Sequence, residues 1–364
     1  MQVKRAAVER VAAEFSAGSE ITLEPGSGGH IHDTWFVTTR YDDFVLQRLN
    51  VGVFVDCVRM MENVLRVLSH LRSRVRKRRL PEPDRRVLTP VRARGGGALV
   101  FDEEGTPWRA FRRVERALSY EVGTSPAITF QIGRAFGQFF DDVQDLPGGP
   151  LPEAIVGFKD FVRRRRDFEL VADADPYDRA RSSKAEIEAV RHHHRLVDDL
   201  VSLRKRGLLR QRTVHNDARV NNVLLDAVTG EALCVIDLDT VGTGTVLYDF
   251  GDLLRSATVT AAEDDGDQPD LAVRDDLLQA AVRGYLREAG LLLTVDELSL
   301  LPLAGPLMAY ENALRFLTDH LVGDVYYRIS HPGQNLARCR TQLRVLDALT
   351  EAQGRVAELV RAAV

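Results

Sequence analysis

The sequence predicts an α+β protein, with a small antiparallel sheet near the N-terminus and a mostly helical remainder. Three observations carry this. Residues 21–114 alternate short runs of strand formers with turn residues. From Glu115 onward, apolar residues recur at spacings of three and four over long windows. Within that helical part lies a hairpin, Val223–Leu225 and Ala232–Ile236 around Asp226-Ala-Val-Thr-Gly-Glu231, preceded by His215-x-Asp217-x-x-x-x-Asn222.

Taken in order, residues 3–17 have the spacing of a short amphipathic helix. Ile21–Glu24, Thr34–Thr39 and Phe44–Leu49 read as three strands. Between the first two lies Pro25-Gly-Ser-Gly-Gly-His30, whose glycines let backbone N–H groups approach phosphates; a plain turn is the alternative. The third strand offers Gln47 and Arg48, of which only one can face a given side. Arg48 is the better phosphate partner, unless it faces solvent. Phe54, Val58, Met61, Leu65 and Leu68 then mark a helix, with Glu62 bordering its stripe either to orient the strand-three cation or as a solvated surface residue. The basic run over 70–95 has no aromatics and reads as a solvated helix end and loop. Ala98–Phe101 and Trp108–Val114 complete the sheet around the turn 102–107.

Helices are expected over 129–143, 158–172 and 184–205, the last containing His192-His193-His194 as surface residues. After the hairpin, Gly242–Thr245 reads as a loop entering a helix with Asp249 or Asp252 in its first turn. Residues 261–270 read as a surface loop. Helices over 274–288, 295–322 (broken near Pro302–Pro306) and 335–363 follow. Glu311, Arg315 and Asp319 share one helical face, as an exposed ion-pair ladder or as a polar stripe lining an acceptor pocket. The expected division is 1–114 and 115–364.

Composition narrows the class. The 364 residues are 45% hydrophobic and 28% charged, with a formal net charge of −4, which suits a soluble globular chain and gives no hint of nucleic-acid binding. Three scattered cysteines suggest neither a disulfide framework nor a zinc site, and Cys57 and Cys234 read as small core residues. The charged N-terminus lacks the apolar run of a signal peptide, and no window supports a membrane span, so a cytoplasmic location is expected.

The chemistry sits in and beside the hairpin. A turn centred on Thr229-Gly230 pairs Asn222 with Asp237 at the open end, with Asp217 just upstream. Two carboxylates and an amide oxygen are then gathered in one place. Hard oxygen ligands suit Mg²⁺, with one carboxylate left to receive a proton. Phosphoryl transfer needs this set: an acid near the attacking hydroxyl, and an Asn and an Asp on the metal. A turn cap at His215 and Asp217 is the bland alternative.

These residues resemble the aminoglycoside phosphotransferase and choline kinase superfamily, with its protein-kinase-like two-lobe fold. The general marks are His215-x-Asp217-x-x-x-x-Asn222 and Ile236-Asp237. Further segments look like bacterial N-acetylhexosamine 1-kinases: Gly29–Thr34, Val45–Asn50 with Val53-Phe54, Asn221–Leu225, Val235–Thr240, Tyr248–Asp252, Arg315–Asp319 and Gly323-Asp324. The resemblance implies an ATP- and Mg²⁺-dependent kinase acting on a sugar hydroxyl, the anomeric one of a hexose or N-acetylhexosamine, and working as a monomer or homodimer. It makes Asp217 the catalytic base or hydroxyl-orienting acid, Asn222 and Asp237 the metal ligands, and Asp239 a second acid near metal or sugar. Gly26, Gly28, Gly29 and His30 would cover the phosphates, and Arg315 would bind the sugar. His32 stands where the hexosamine kinases have Asn, so acceptor preference can differ there. The rivals are an antibiotic or amino-alcohol phosphotransferase and a nucleotide-binding pseudokinase. Few aromatics argue against a choline cage.

Overall fold

The structure, a computed structural model, describes residues 4–16, 20–26, 31–259 and 271–363. Gly28, Gly29, His30 and the expected loop 261–270 lie outside the described residues. The chain divides into two compact units: residues 1–116 with 152–156, and residues 117–151 with 157–364.

In the first unit, α1 (Arg5–Phe15), β1 (Ile21–Pro25), β2 (Asp33–Thr39), β3 (Asp43–Arg48), α2 (Cys57–Arg78), the single turn α3 (Pro83–Arg86), β4 (Val100–Phe101) and β5 (Pro107–Arg112) follow one another. The strands form one antiparallel sheet in the order β1-β2-β3-β5-β4. Val8, Val11 and Phe15 of α1 pack with Leu23, Val37, Leu46 and Trp108 from the sheet. Trp108 is fully buried, stacks on Trp35 at 5.2 Å between ring centroids, and donates its indole N–H to Asp102 at 2.8 Å.

The helix α2 starts later than its apolar stripe suggests, because Asp56 caps it by accepting the Arg59 amide at 2.9 Å. Its buried face is Cys57, Met60, Met61, Val64, Val67, Leu68, Leu71 and Val75, whereas Val58 is half exposed. It stops where Arg79 enters the left-handed region, at φ 54°, and its amide closes the last turn onto Val75 and Arg76.

The second unit contains β6 (Ala117–Leu118), α4 (Pro126–Val143), α5 (Phe161–Ala174), α6 (Lys184–His192), α7 (Arg195–Lys205), β7 (Arg212–Val214), β8 (Val223–Asp226), β9 (Ala232–Val235), β10 (Gly242–Gly244), α8 (Val246–Ala257), α9 (Asp275–Ala289), α10 (Val295–Leu300), α11 (Ala304–Leu321), α12 (Gln334–Glu351) and α13 (Gln353–Ala363). The helix expected over 184–205 is two, broken at His193 and His194. Of the three histidines only His192 is fully exposed; His193 and His194 are half-buried, and His194 faces the buried Phe168 edge-on at 6.0 Å. The helix expected over 335–363 also breaks, at Ala352. Gly242–Gly244 is a short strand pairing antiparallel with β7, not a loop, and α8 begins directly after it.

Close helix packing explains two glycines. A Cβ on Gly137 of α4 would lie 2.3 Å from the Tyr285 carbonyl oxygen of α9, and one on Gly284 of α9 would lie 2.3 Å from the Phe130 carbonyl oxygen of α4. The two backbones approach so closely that neither side has room for a methyl group. Gly137→Ala should therefore destabilise the protein by about 1–3 kcal/mol in urea unfolding, despite the better helix propensity of alanine. Unchanged or raised stability would show that α4 and α9 are not packed this tightly.

Candidate active site

Everything in the candidate site hangs on the loop between β7 and β8. His215 is fully buried, flanked edge-on by Phe136 and Phe139 of α4 at 5.6 and 5.3 Å. Its Nε2 lies 2.9 Å from the Ile236 carbonyl oxygen, which can only accept, so Nε2 carries the proton. The imidazole thus ties the loop to the residue before Asp237. Asn216 sits in the left-handed region at φ 66° and donates its side-chain amide to the Thr240 carbonyl at 3.0 Å, while the Thr240 hydroxyl returns a bond to the His215 carbonyl at 2.9 Å. Beneath both, the fully buried Asp249 accepts the backbone N–H groups of His215 and Asn216, each at 2.8 Å. Asp249 does lie in the first turn of α8, but its carboxylate is spent on the loop and not only on its own helix dipole.

The motif then folds on itself. Asn222 donates its amide to the Asp217 carbonyl at 2.8 Å and to its carboxylate at 3.1 Å. Arg219 grips that carboxylate with two bonds, at 2.8 and 3.0 Å. Burial alone would raise the Asp217 pKa, but Arg219, with smaller contributions from His215 and Arg255, holds it well below the usual carboxylate range. Asp217 is therefore a carboxylate throughout the working pH range. Arg219 was not singled out from the sequence; the available signal was a cation two places after the acid, inside the motif.

The hairpin forms as expected, but its register differs. Val223 pairs with Val235 and Leu224 with Cys234, then Leu225 with Ala232, leaving Leu233 as an extra residue. Asn222 consequently faces Ile236, whose amide donates to the Asn222 carbonyl at 2.9 Å, and not Asp237. The turn is tighter than a symmetric loop because Asp226 accepts the Val228 and Thr229 amides at 2.9 Å each. Asp237 leaves the ladder in the left-handed region, at φ 59°, a backbone state that carries strain for a non-glycine residue. Asp239 follows in a 3₁₀ turn over Leu238–Thr240 and is buried.

The donor set fits a hard cation. Asn222 spends its N–H₂ on Asp217, which leaves its amide oxygen for a metal, and Asp237 supplies a carboxylate one step away along the hairpin. Among the described residues no group of three or more His, Cys, Asp or Glu forms a closed metal cage.

In the first unit the expected residues are placed differently. Arg48 turns to the β4–β5 turn, donating to the Thr106 hydroxyl at 3.2 Å and lying 3.7 Å from Asp102 and 3.9 Å from Asp33. Gln47 instead accepts from the buried Arg109 at 3.0 Å. Glu62 is exposed, and the orienting contact with Arg48 is not formed, because α2 presents that position to solvent. His32 is buried rather than offered to an acceptor: its Nδ1 accepts the Asn50 amide at 3.1 Å and its ring packs on Phe54 at 5.3 Å. Gly26 lies at the end of β1, its amide donating to the Thr34 carbonyl at 2.9 Å.

On α11, the exposed-ladder reading of Glu311, Arg315 and Asp319 is overturned, since all three are buried or nearly so. Asp319 accepts the amides of Val325, Tyr326 and Tyr327 at 3.0, 2.7 and 2.9 Å, which folds that segment back over Arg315. Arg315 is then enclosed by Phe158, Tyr326 and Tyr327, with ring centroids 5.3, 5.7 and 5.3 Å away.

Burial pushes the Asp249 pKa up to about 6, against the pull of His215 and its two amide donors. An unfolded carboxylate titrates near about 4. The raised value favours the folded state most below that point, and this advantage is lost as pH rises through about 6. In Asp249→Asn, one of the two amides faces an N–H₂ group, so the variant should lose about 1–3 kcal/mol in chemical unfolding. Its deficit relative to wild type should shrink as pH rises from about 4 to about 7. A deficit that grew with pH would contradict this assignment.

The chain matches the phosphotransferase enzyme family over residues 22–291. Solved structures share its fold along nearly their whole length. An aminoglycoside phosphotransferase from Alicyclobacillus acidocaldarius is 12% identical with a TM-score of 0.60, covering 100% of this chain and 97% of its own. Plasmodium vivax ethanolamine kinase is 11% identical with a TM-score of 0.54, covering 88% of this chain and 82% of its own. A spectinomycin phosphotransferase, solved with ADP and spectinomycin, is 10% identical with a TM-score of 0.52, covering 100% and 99%. The fold is therefore α+β and protein-kinase-like, and the chain belongs to the phosphotransferase enzyme family.

Proposed function

We propose that the protein is an ATP- and Mg²⁺-dependent small-molecule kinase that phosphorylates a sugar hydroxyl, the anomeric hydroxyl of a hexose or N-acetylhexosamine. The observation that carries the kinase chemistry is the coupling of Asp217 to Asn222 in one hydrogen-bonded turn, one hairpin step from Asp237. The nucleotide-bound spectinomycin phosphotransferase of the same fold supports ATP as donor. The sugar acceptor is supported by the resemblance carried by Val235–Thr240, Tyr248–Asp252 and Arg315–Asp319.

In this reading the acceptor oxygen forms a bond to the γ-phosphorus while the bond to the bridging oxygen breaks, and ADP leaves with that electron pair. The hydroxyl proton passes to Asp217. Held so far below the usual range, this carboxylate is a weak base. It orients the hydroxyl first and takes the proton late, as a loose, metaphosphate-like transition state allows. The Asn222 amide oxygen and the Asp237 carboxylate would hold Mg²⁺, which would supply charge neutralisation at the phosphates. Arg219 keeps Asp217 ionised and fixed in direction. Gly26 and Arg48 remain candidates for the nucleotide phosphates, whereas Glu62 and His32 are set aside because of where their side chains lie.

The neighbours that act on ethanolamine and spectinomycin keep an amino-alcohol or antibiotic acceptor as the second reading. ADP release across a panel of sugars, aminosugars, antibiotics and amino alcohols, followed by NMR of the product, separates the two. Phosphate anywhere but the anomeric carbon overturns the preferred one. A nucleotide-binding scaffold without turnover is disfavoured by the presence of Asp217, Asn222 and Asp237 together. Asp217→Asn should stay folded, by its unfolding curve, and lose about 10²- to 10⁴-fold in kcat. Turnover close to wild type would remove Asp217 from the mechanism.

A further inference from the structure

The second unit holds a group of charges that the transfer chemistry does not use. Glu311 of α11 is fully buried, and three cations surround it: Arg164 at 3.3 Å, Arg315 at 3.6 Å and Lys159 at 3.7 Å. Lys159 also lies 3.7 Å from Asp252, which is itself paired with Arg255 at 2.6 Å. The Lys159 side chain is only 7% exposed. Its ammonium lies over the faces of Phe158 and Tyr248, 5.1 and 5.7 Å from their centroids.

Hydrogen bonding sets this group apart. Neither Glu311 carboxylate oxygen accepts a hydrogen bond. Among the described residues, neither the Lys159 ammonium nor the Arg315 guanidinium donates one, and their ion-pair partners stand off at 3.6–3.7 Å. Buried ions that serve stability alone close to contact distance, since a gap keeps the desolvation cost and forfeits the bond. Other buried pairs in this unit do close: Arg212 meets Glu297 at 2.7 Å and Arg255 meets Asp252 at 2.6 Å. The Lys159–Glu311–Arg315 group is instead held open, by the aromatic faces around the two cations and by the Asp319-anchored segment that carries Tyr326 and Tyr327. It presents a carboxylate acceptor and two cationic donors, all without hydrogen-bond partners, in one place.

The sign of the charge selects the ligand. Four cations (Lys159, Arg164, Arg255, Arg315) face two carboxylates (Asp252, Glu311), leaving the group net positive. Asp217 already has Arg219. Proximity to the chemistry follows from α8: Asp249 caps the loop that carries Asp217, and Asp252, one turn further along the same helix, lies 3.7 Å from Lys159.

We infer that Lys159, Glu311 and Arg315 form the acceptor-recognition site, and that the acceptor is a hydroxyl compound carrying an anionic group, a carboxylate or a phosphate. This rests on the kinase reading above and sharpens its acceptor. Glu311 accepts from a sugar hydroxyl, and Lys159 and Arg315 take the anion. Cationic acceptors are repelled, because a net-positive group disfavours them wherever they dock.

A matched series tests this: a hexuronic acid, a hexose 6-phosphate, the neutral hexose and the 2-amino hexose. ADP release would be followed for each, with binding measured by calorimetry in the absence of nucleotide. One of the two anionic sugars should exceed the neutral hexose by at least about tenfold in kcat/KM and in affinity, and which one does identifies the anion. Lys159→Gln should shrink that ratio by about tenfold, and Lys159→Arg, which keeps the charge, should preserve it. A neutral or amino hexose that equals or beats both anionic sugars overturns the inference, as does a Lys159→Gln variant that lowers all acceptors alike. Selective binding of an anionic sugar with no ADP release from any acceptor would uphold the recognition site and remove the kinase reading.

Discussion

The buried carboxylate of Asp249 is the constraint on which the candidate site depends. It accepts two consecutive backbone amides, from His215 and Asn216, and so fixes the loop on which Asp217 stands. The arrangement is costly, since burial disfavours the charged form enough to raise its pKa to about 6. It persists because the alternative, two buried amides without an acceptor, costs more. His215 then carries the constraint onward to Ile236, and Asn216 carries it to Thr240. Loop and hairpin are thereby locked together on both sides of Asp237. The left-handed backbone at Asn216 and Asp237 is tolerated because these bonds over-determine it.

Charge in the second unit is organised in two ways. Some pairs are closed, such as Arg219 with Asp217 and Arg212 with Glu297, and these hold a group in place or in one protonation state. Others stay apart. Glu311, pulled down to about 2 by Lys159, Arg315 and Arg164 against the effect of its burial, is ionised yet hydrogen-bonded to nothing. Closed pairs have spent their hydrogen bonds on each other; the held-open group has not. The two kinds meet along α8, where Asp249 holds the Asp217 loop and Asp252 lies 3.7 Å from Lys159.

Much of this was legible in the sequence where the determinants are local. The strands β1, β2, β3 and β5 follow from runs of β-branched and aromatic residues, and α4 from the spacing of Ile132, Phe136, Phe139 and Phe140. The motif from His215 to Asn222 closes on itself within a few residues, so its spacing alone announces it. Errors arose where the deciding partner is remote. The hairpin register shifted because an extra residue at Leu233 and the Asp226 cap reshape a turn that symmetry would centre elsewhere. Gly242–Gly244 became a strand because β7 lies beside it. His32 and Glu62 exchanged expected roles for burial and exposure that only packing assigns.

By itself, then, the sequence determined the α+β architecture and the grouping of Asp217, Asn222 and Asp237 as a candidate set, because helical period, strand alternation and motif spacing are properties of neighbouring residues. Tertiary structure alone decided which charges are paired. Glu311 and Arg315, one turn apart on α11, fit an exposed ladder as well as a pocket until Lys159, Arg164 and the Tyr326–Tyr327 segment close around them. Whether an ion pair is solvated, closed or held open depends on what residues far apart in the chain bring to it, and side-chain spacing carries no information about that.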